Sequence, residues 1–195
     1  MGIDLSDALA LNVILYTFCK KIVIFFCFFI NNYYICISIR FKEMTIEEQI
    51  TIILSDIRQK GFSSVQPFSI GKVEERMIQF TKNNNIVLGS DEIYMSVRQL
   101  QHSMRASKNA KGLVVSDAEL VNFPKNRFQM DLYFDGECFI YTDGLSKFIV
   151  HPNYKMKLSR EIVKLVNFIT ATRRTDKNEF NGRRYIKIET DSNTE

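Results

Sequence analysis

The stretch that decides the fold is Arg127–Val150, with the sequence RFQMDLYFDGECFIYTDGLSKFIV. Asp-Gly pairs at 135–136 and 143–144 separate short runs of aromatic and aliphatic residues. An Asp-Gly pair between such runs is a strong β-hairpin signal, because both residues tolerate the backbone conformations of tight turns. The stretch therefore predicts a three-stranded antiparallel meander. Its strands are expected at Arg127–Phe134, Glu137–Thr142 and Leu145–Val150.

The chain around this meander predicts an α+β domain, in which N-terminal helices precede an antiparallel sheet of four or more strands. Val163–Thr172 is predicted as a fourth strand and Tyr185–Ile188 as a fifth. Short strands are also expected at Ile86–Leu88 and Glu92–Met95.

Capping residues predict where the helices begin and end. The expected helices follow Thr45, cover Lys72–Lys82 and Val97–Asn109, and follow Ser116. Thr45 and Ser116 each precede a Glu by three residues, which is the pattern of a capping box. Ser96 is a suitable N-cap for the third helix. The expected helix ends are marked by Gly61, Gly112 and Pro124.

The N-terminal part of the chain differs from the rest. Ile22–Ile39 has no charged residue and approaches the length of a membrane span. It could be an anchor, a buried hairpin or helix, or translated sequence before a true start at Met44. The expected organisation is an apolar extension at 1–43, a helical region at 44–85, an α+β domain at 86–188 and a frayed tail at 189–195.

Composition describes a globular chain with little overall charge bias. The 195 residues are 46% hydrophobic and 25% charged, with a formal net charge of +4, which suits one domain of ordinary size. Cys138 is the one cysteine outside the N-terminal extension, so no disulfide framework is expected. The expected location is the cytoplasm, or a membrane if residues 22–39 are an anchor.

One predicted helix lies within Ile93–Ser116, a stretch with no acidic residue. Arg98, His102 and Arg105 are spaced at i, i+4 and i+7, so that a continuous helix places them on one face. An imidazole between two guanidiniums suits a phosphate-bearing ligand. A solvated basic face with an incidental histidine accounts for the same spacing.

A second basic group follows the predicted fourth strand, where it could contact a nucleic-acid backbone or form a solvated loop. It consists of Arg173, Arg174, Lys177, Arg183 and Arg184. Alternation places Thr170 and Thr172 on the same side of that strand as Phe168, and this side is either core or ligand-facing. Lys147 and Tyr133, on neighbouring strands, could face a ligand or solvent.

Other chemistries lack the residues they need. The chain has two histidines and one cysteine outside the extension, too few for a usual zinc site. One of them, His151, lies in a predicted His-Pro-Asn turn, where a structural role is favoured. No Walker, GxGxxG or GxSxG motif occurs. The best enzymatic option that remains is metal-free cleavage of RNA through its own 2′-hydroxyl, which needs a base, an acid and cations. Histidine, arginine, lysine and hydroxyl groups can supply these, so we predict no metal and no cofactor.

Several short motifs occur in a recognisable order over roughly residues 86–188. They are Ile93–Ser96, His102–Arg105, Lys108, Gly112, Asn122–Pro124, the meander strands and Phe168–Ala171. This order resembles the phage- and mobile-element-associated nucleases of the barnase, EndoU, colicin and RelE superfamily. Members of that group carry a histidine in a helix before a four-stranded antiparallel sheet, and a Ser or Thr on a late strand.

The resemblance implies a metal-independent ribonuclease in which His102, Arg105 and Thr170 are catalytic, with Lys108 as the alternative to Arg105. The residues expected to contact RNA are Arg98, Lys108, Lys147, Thr172, Arg173 and Arg174. RNA is the expected partner, with an inhibitor or immunity protein as a further candidate and a membrane only if residues 22–39 are a span. The alternatives are a catalytically inert nucleic-acid-binding or interaction module and a membrane-tethered structural protein.

Overall fold

The computed structural model describes residues 44–189 except 62, 64, 158–162, 177 and 183. The described residues from Ile46 onward belong to one compact unit. The apolar segment Ile22–Ile39 lies outside the described residues, as do Lys177 and Arg183. Within the described part of the chain, no helix combines the length and the apolarity needed to cross a bilayer.

The structure is α+β, as the sequence predicts. The helices are α1 (Ile46–Lys60), α2 (Glu75–Asn83), α3 (Val97–Ser103), α4 (Ala106–Asn109) and α5 (Asp117–Asn126). The strands are β1 (Phe68–Lys72), β2 (Glu92–Met95), β3 (Asp131–Phe134), β4 (Phe139–Thr142), β5 (Ser146–Lys157), β6 (Val163–Arg174) and β7 (Ile186–Ile188). Short 3-10 turns occupy Arg127–Gln129 and Glu179–Asn181.

The strands form one seven-stranded sheet in the order β1-β2-β6-β5-β4-β3-β7. Neighbouring strands are antiparallel except β2 and β6, which run parallel with Ile93 opposite Asn167. On one face, the Phe123 ring of α5 stacks on Phe148 of β5, with the ring centroids 3.8 Å apart. The same ring meets Tyr141 of β4 edge-on. Helix α5 therefore anchors the core of the meander.

The meander predicted from the Asp-Gly pairs is confirmed, although its first strand begins at Asp131 and not at Arg127, since Arg127–Gln129 form a 3-10 turn. In the β3–β4 turn, Asp135 Oδ1 accepts hydrogen bonds from the backbone N–H groups of Glu137 and Cys138, at 3.0 and 2.7 Å. Asp143 closes the β4–β5 turn in the same way, accepting from Ser146 N–H at 2.7 Å. Both turn glycines have positive φ, which a residue without Cβ adopts at no steric cost.

Three of the predicted helix starts are confirmed. Helix α1 begins at Ile46, directly after Thr45, and ends before Gly61. The Ser96 hydroxyl accepts a hydrogen bond from Gln99 N–H at the start of α3. Ser116 and Glu119 form a reciprocal capping box at the start of α5. Helix α5, however, contains Pro124 and ends two residues later, at Asn126, so the predicted stop at Pro124 is wrong. Pro124 is buried, and burial of its apolar ring offsets the loss of one helical N–H.

Strand β1 occupies residues that the sequence analysis assigns to a helical region, and α2 begins at Glu75 rather than at Lys72. The position of β1 depends on a residue distant in the sequence. The buried Arg127 guanidinium donates hydrogen bonds to Ile70 O at 3.3 Å and to Lys72 O at 2.7 Å. Gly71 has φ +118°, and a Cβ there would lie 3.1 Å from the same guanidinium.

Residues Ile86–Leu88 do not form the predicted strand. The Ile86 N–H instead donates to Thr81 O of α2 at 2.9 Å, so the chain stays attached to the end of that helix. The helix predicted over Val97–Asn109 is also interrupted. The Ser103 hydroxyl donates to Leu100 O at 2.6 Å, and such local bonds compete with the helical pattern.

Candidate nucleic-acid interface

The candidate site lies beside β6, along the part of this strand that extends beyond its pairing with β2. Beyond the parallel pairing of β2 with β6, the chain from α3 to Leu113 approaches the exposed edge of β6. Lys108 Nζ donates to Thr172 O at 3.2 Å, and Arg174 N–H donates to Leu113 O at 3.2 Å. The histidine-bearing segment therefore takes the place of a strand beside β6.

An open groove of about 950 Å³ lies between this segment and strands β5 and β6. It brings together Arg98, His102 and Arg105 with Thr170 of β6, which the sequence analysis proposes as one site. Among the described residues, no acidic side chain lines the groove. A phosphate would therefore meet cations and hydroxyl groups without carboxylate repulsion.

His102 lies on the last turn of α3 and is partly exposed. Burial, followed by the nearby charges of Arg105, Lys108 and Arg98, lowers the pKa of His102 below its ordinary value. The imidazole is therefore neutral at neutral pH and can accept a proton. Arg105 lies at the break between α3 and α4 with an extended backbone. It reaches the groove from this break and not from one continuous helical face.

Thr170 is the extra residue of a β-bulge. Ala171 pairs with Ile149 and Ile169 pairs with Val150, which leaves Thr170 without a partner in the register. Its hydroxyl donates to Ile149 O at 3.3 Å. A bulge redirects a side chain and interrupts the alternation along a strand. The predicted equivalence of Thr170 and Thr172 is therefore wrong, since Thr172 is buried and only 4% exposed.

Basic charge continues from the groove along the edge of β6. Burial, Arg173 and Arg105 lower the pKa of Lys108, in that order, which means that these cations are close to one another. Arg173 is exposed, whereas Lys108 is partly buried against the β6 backbone. These residues extend the positive surface beyond a single phosphate.

Two predicted RNA contacts lie elsewhere and are paired with carboxylates. Lys147 is fully buried (0% exposed) and forms an ion pair with Glu179. Arg174 binds Glu119 through both terminal nitrogens, with Nη2 2.8 Å from Oε2. An RNA phosphate would have to displace these carboxylates, so the structure does not bring Lys147 or Arg174 into the groove.

Sequence reasoning missed Tyr154 and Lys155, which line the groove opposite α3. His151-Pro152-Asn153 resembles a turn, but β5 continues through it by a register shift between His151 and Tyr154. Asn153 has φ +56° and absorbs the irregularity. No pattern in the sequence distinguishes this bulge from a turn. Lys155 adds a third formal positive charge to the groove.

No group of three His, Cys, Asp or Glu side chains suited to a metal occurs within the described residues. Cys138 is half-buried in the β3–β4 hairpin, and burial followed by Asp135 and Glu137 raises its pKa to about 12. Its thiol is thus protonated and a poor nucleophile.

The chain matches no protein-family model, no curated protein and no solved structure.

Proposed function

We propose that the groove beside β6 binds the phosphate backbone of RNA and cleaves it without a metal, as the nucleases of the barnase, EndoU, colicin and RelE superfamily do. The observation that carries the proposal is the acid-free groove that joins His102 to Arg98, Arg105 and Thr170. Such an enzyme would meet its RNA in the cytoplasm. An inhibitor or immunity protein would act by covering this groove.

In the proposed reaction, neutral His102 removes the proton from a 2′-hydroxyl, and the 2′-oxygen attacks the adjacent phosphorus. The bond from phosphorus to the 5′-oxygen breaks, that oxygen takes a proton from water, and the protonated His102 returns its proton to the hydroxide that is left. The products are a 2′,3′-cyclic phosphate and a 5′-hydroxyl. Arg98 and Arg105 would stabilise the negative charge that develops on the phosphorane. The hydroxyl of Thr170, whose single proton is donated to Ile149 O in the free protein, would rotate to donate it to a phosphate oxygen.

The test is incubation of the purified full chain with mixed RNA in EDTA over a range of pH. Fragments that end in 2′,3′-cyclic phosphate are expected, and their rate of formation should rise as His102 loses its proton. Retained RNA binding without cleavage at any pH would contradict the enzymatic part of the proposal.

An inert nucleic-acid-binding module is the second candidate. It is favoured by one observation, namely that His102 is the only histidine among the described residues of the groove. A single imidazole can serve as the base. The described lining of the groove contains no second imidazole and no carboxylic acid that could protonate the leaving oxygen. Binding without catalysis would depend on Arg98 and Arg105 and would tolerate replacement of His102.

A further inference from the structure

Tyr154 gives the basic groove an aromatic surface. Its ring stacks on Phe168 of β6, with ring centroids 4.8 Å apart and planes inclined by 17°. Phe168 is buried, whereas Tyr154 keeps 38% of its surface exposed. One ring face of Tyr154 is thus covered by Phe168, and the remaining surface contributes to the groove that contains Arg98 and His102.

Tyr154 is held in place from several sides. The ring of His151 meets it edge-on at a centroid distance of 6.0 Å. Beneath it, Phe168 packs with Met156 and Val166 in a buried cluster. A side chain that is fixed before a ligand arrives loses little conformational entropy on binding.

Exposed aromatic rings beside cations are the usual means by which proteins bind single-stranded nucleic acid. The cations attract the phosphates, and the rings stack on bases irrespective of sequence. A base must be unpaired to stack in this way, because in a duplex its faces are covered by its neighbours. Cations alone would bind any polyanion, whereas an exposed ring beside them offers a contact that only a ligand with bases can make.

We propose that Tyr154 is a nucleobase-stacking site, which takes an unpaired base next to the phosphate held by Arg98 and Arg105. The inference rests on the proposed function in that its ligand is a nucleic-acid strand. It goes further by assigning the substrate class as single-stranded RNA. It does not depend on cleavage.

The chain contains no tryptophan, so Tyr154→Trp introduces a single reporter into the full chain. The probes are a single-stranded oligodeoxynucleotide, which lacks the 2′-hydroxyl and is not cleaved, the duplex of the same sequence, and inorganic polyphosphate. We expect the oligodeoxynucleotide to quench Trp fluorescence at position 154, and the duplex and polyphosphate to leave it unchanged. Phe128→Trp is the matched control, because Phe128 is exposed and does not line the groove, and it should not be quenched by any probe.

Affinity provides the second measurement. Tyr154→Leu should weaken oligodeoxynucleotide binding about 5- to 100-fold, the usual range for one stacked base, and leave polyphosphate binding unchanged. Tyr154→Phe should retain the affinity. Binding of the oligodeoxynucleotide without quenching, and with Tyr154→Leu equal to wild type, would overturn the stacking site and leave the phosphate groove intact. If the chain binds neither the oligodeoxynucleotide nor polyphosphate, the proposed function is overturned as well.

Discussion

The basic side chains of this protein fall into two groups that the sequence does not distinguish. In the described part of the chain, the groove cations Arg98, Arg105 and Lys155 form no ion pair. Lys147, Arg174 and Arg127 each contact a carboxylate. The number of basic residues therefore does not predict which of them can bind a ligand. The fold determines this, because it determines which basic residues lie beside a carboxylate.

Burial accounts for the pairing of Lys147. Lys147 is fully buried, and a buried ammonium without a counter-charge is costly, so Glu179 is required beside it. Arg98 and Arg105 are exposed to solvent, which stabilises their charge in the absence of a carboxylate. They can therefore accept a phosphate without first losing a partner.

The largest effect expected is on catalysis in the groove. His102→Ala should lower RNA cleavage about 10²–10⁴-fold, because it removes the proposed base. RNA affinity should change little, since phosphate attraction comes mainly from the arginines. Cleavage rates and filter binding of the full chain measure the two effects. Cleavage at the wild-type rate would exclude His102 as the base even if the protein is a ribonuclease.

In the paired group the main effect should be on stability. Glu179→Gln leaves the buried Lys147 ammonium without its counter-charge and should lower the free energy of unfolding by about 3 kcal/mol. Urea denaturation measures the change. The double variant Lys147→Met with Glu179→Leu should recover most of the loss, because it removes both charges together. A double variant as unstable as Glu179→Gln would show that packing, and not charge, is responsible.

The same pair predicts a pH dependence of stability. Burial alone would raise the pKa of Glu179, but hydrogen bonds from Lys147 and Asp176 N–H lower it below its ordinary value. A carboxyl whose folded-state pKa is depressed stabilises the fold above its unfolded pKa, and this contribution is lost as the pH falls through the folded value. Wild-type stability should therefore decrease on acidification below about pH 4.3, and the decrease should be smaller in Glu179→Gln.

Arg105 and Arg174 provide a matched comparison of the two groups. Arg105→Ala should weaken RNA binding about tenfold and reduce the salt slope by about 1, because it removes one phosphate contact. Arg174→Ala should leave RNA affinity near wild type and lower stability by about 1 kcal/mol, because it removes the pair with Glu119. Equal losses of affinity in both variants would mean that RNA competes with Glu119 for Arg174.

The smallest effect is expected at the bulge. Thr170→Val is nearly isosteric, and it removes a hydroxyl that donates to Ile149 O at 3.3 Å. Stability should change by about 1 kcal/mol or less, while cleavage should decrease if the hydroxyl also contacts the phosphate. Thr170→Ser keeps the hydroxyl and should cleave at close to the wild-type rate. A Val variant with unchanged cleavage would remove Thr170 from the site.

The elements that the sequence predicted are those determined by neighbouring residues. Ser96 and Ser116 cap helices within three residues, and Asp135 and Asp143 close turns of similar length. These interactions need no knowledge of the rest of the fold. The meander and the starts of α3 and α5 were therefore predictable.

Several features that sequence reasoning missed depend on residues far apart in the chain. Strand β1 is bound by Arg127, 55 residues beyond Lys72. Arg174 is paired with Glu119, 55 residues before it. The grouping of Arg98, His102 and Arg105 was predictable from spacing, although the break before α4 was not. Tyr154 entered the groove only because β5 continues past Pro152.

The parallel pairing of β2 with β6 has a consequence for the timing of folding. Asn167 of β6 donates hydrogen bonds to Ser90 O and Glu92 O, from 77 and 75 residues away. Closing so long a loop is entropically unfavourable, and such pairings form slowly. During synthesis His102 leaves the ribosome long before Thr170. Until β6 has been made and has folded, the groove beside His102 is incomplete. On the proposed function, a ribosome-bound chain that has not yet folded β6 is therefore expected not to cleave nearby RNA.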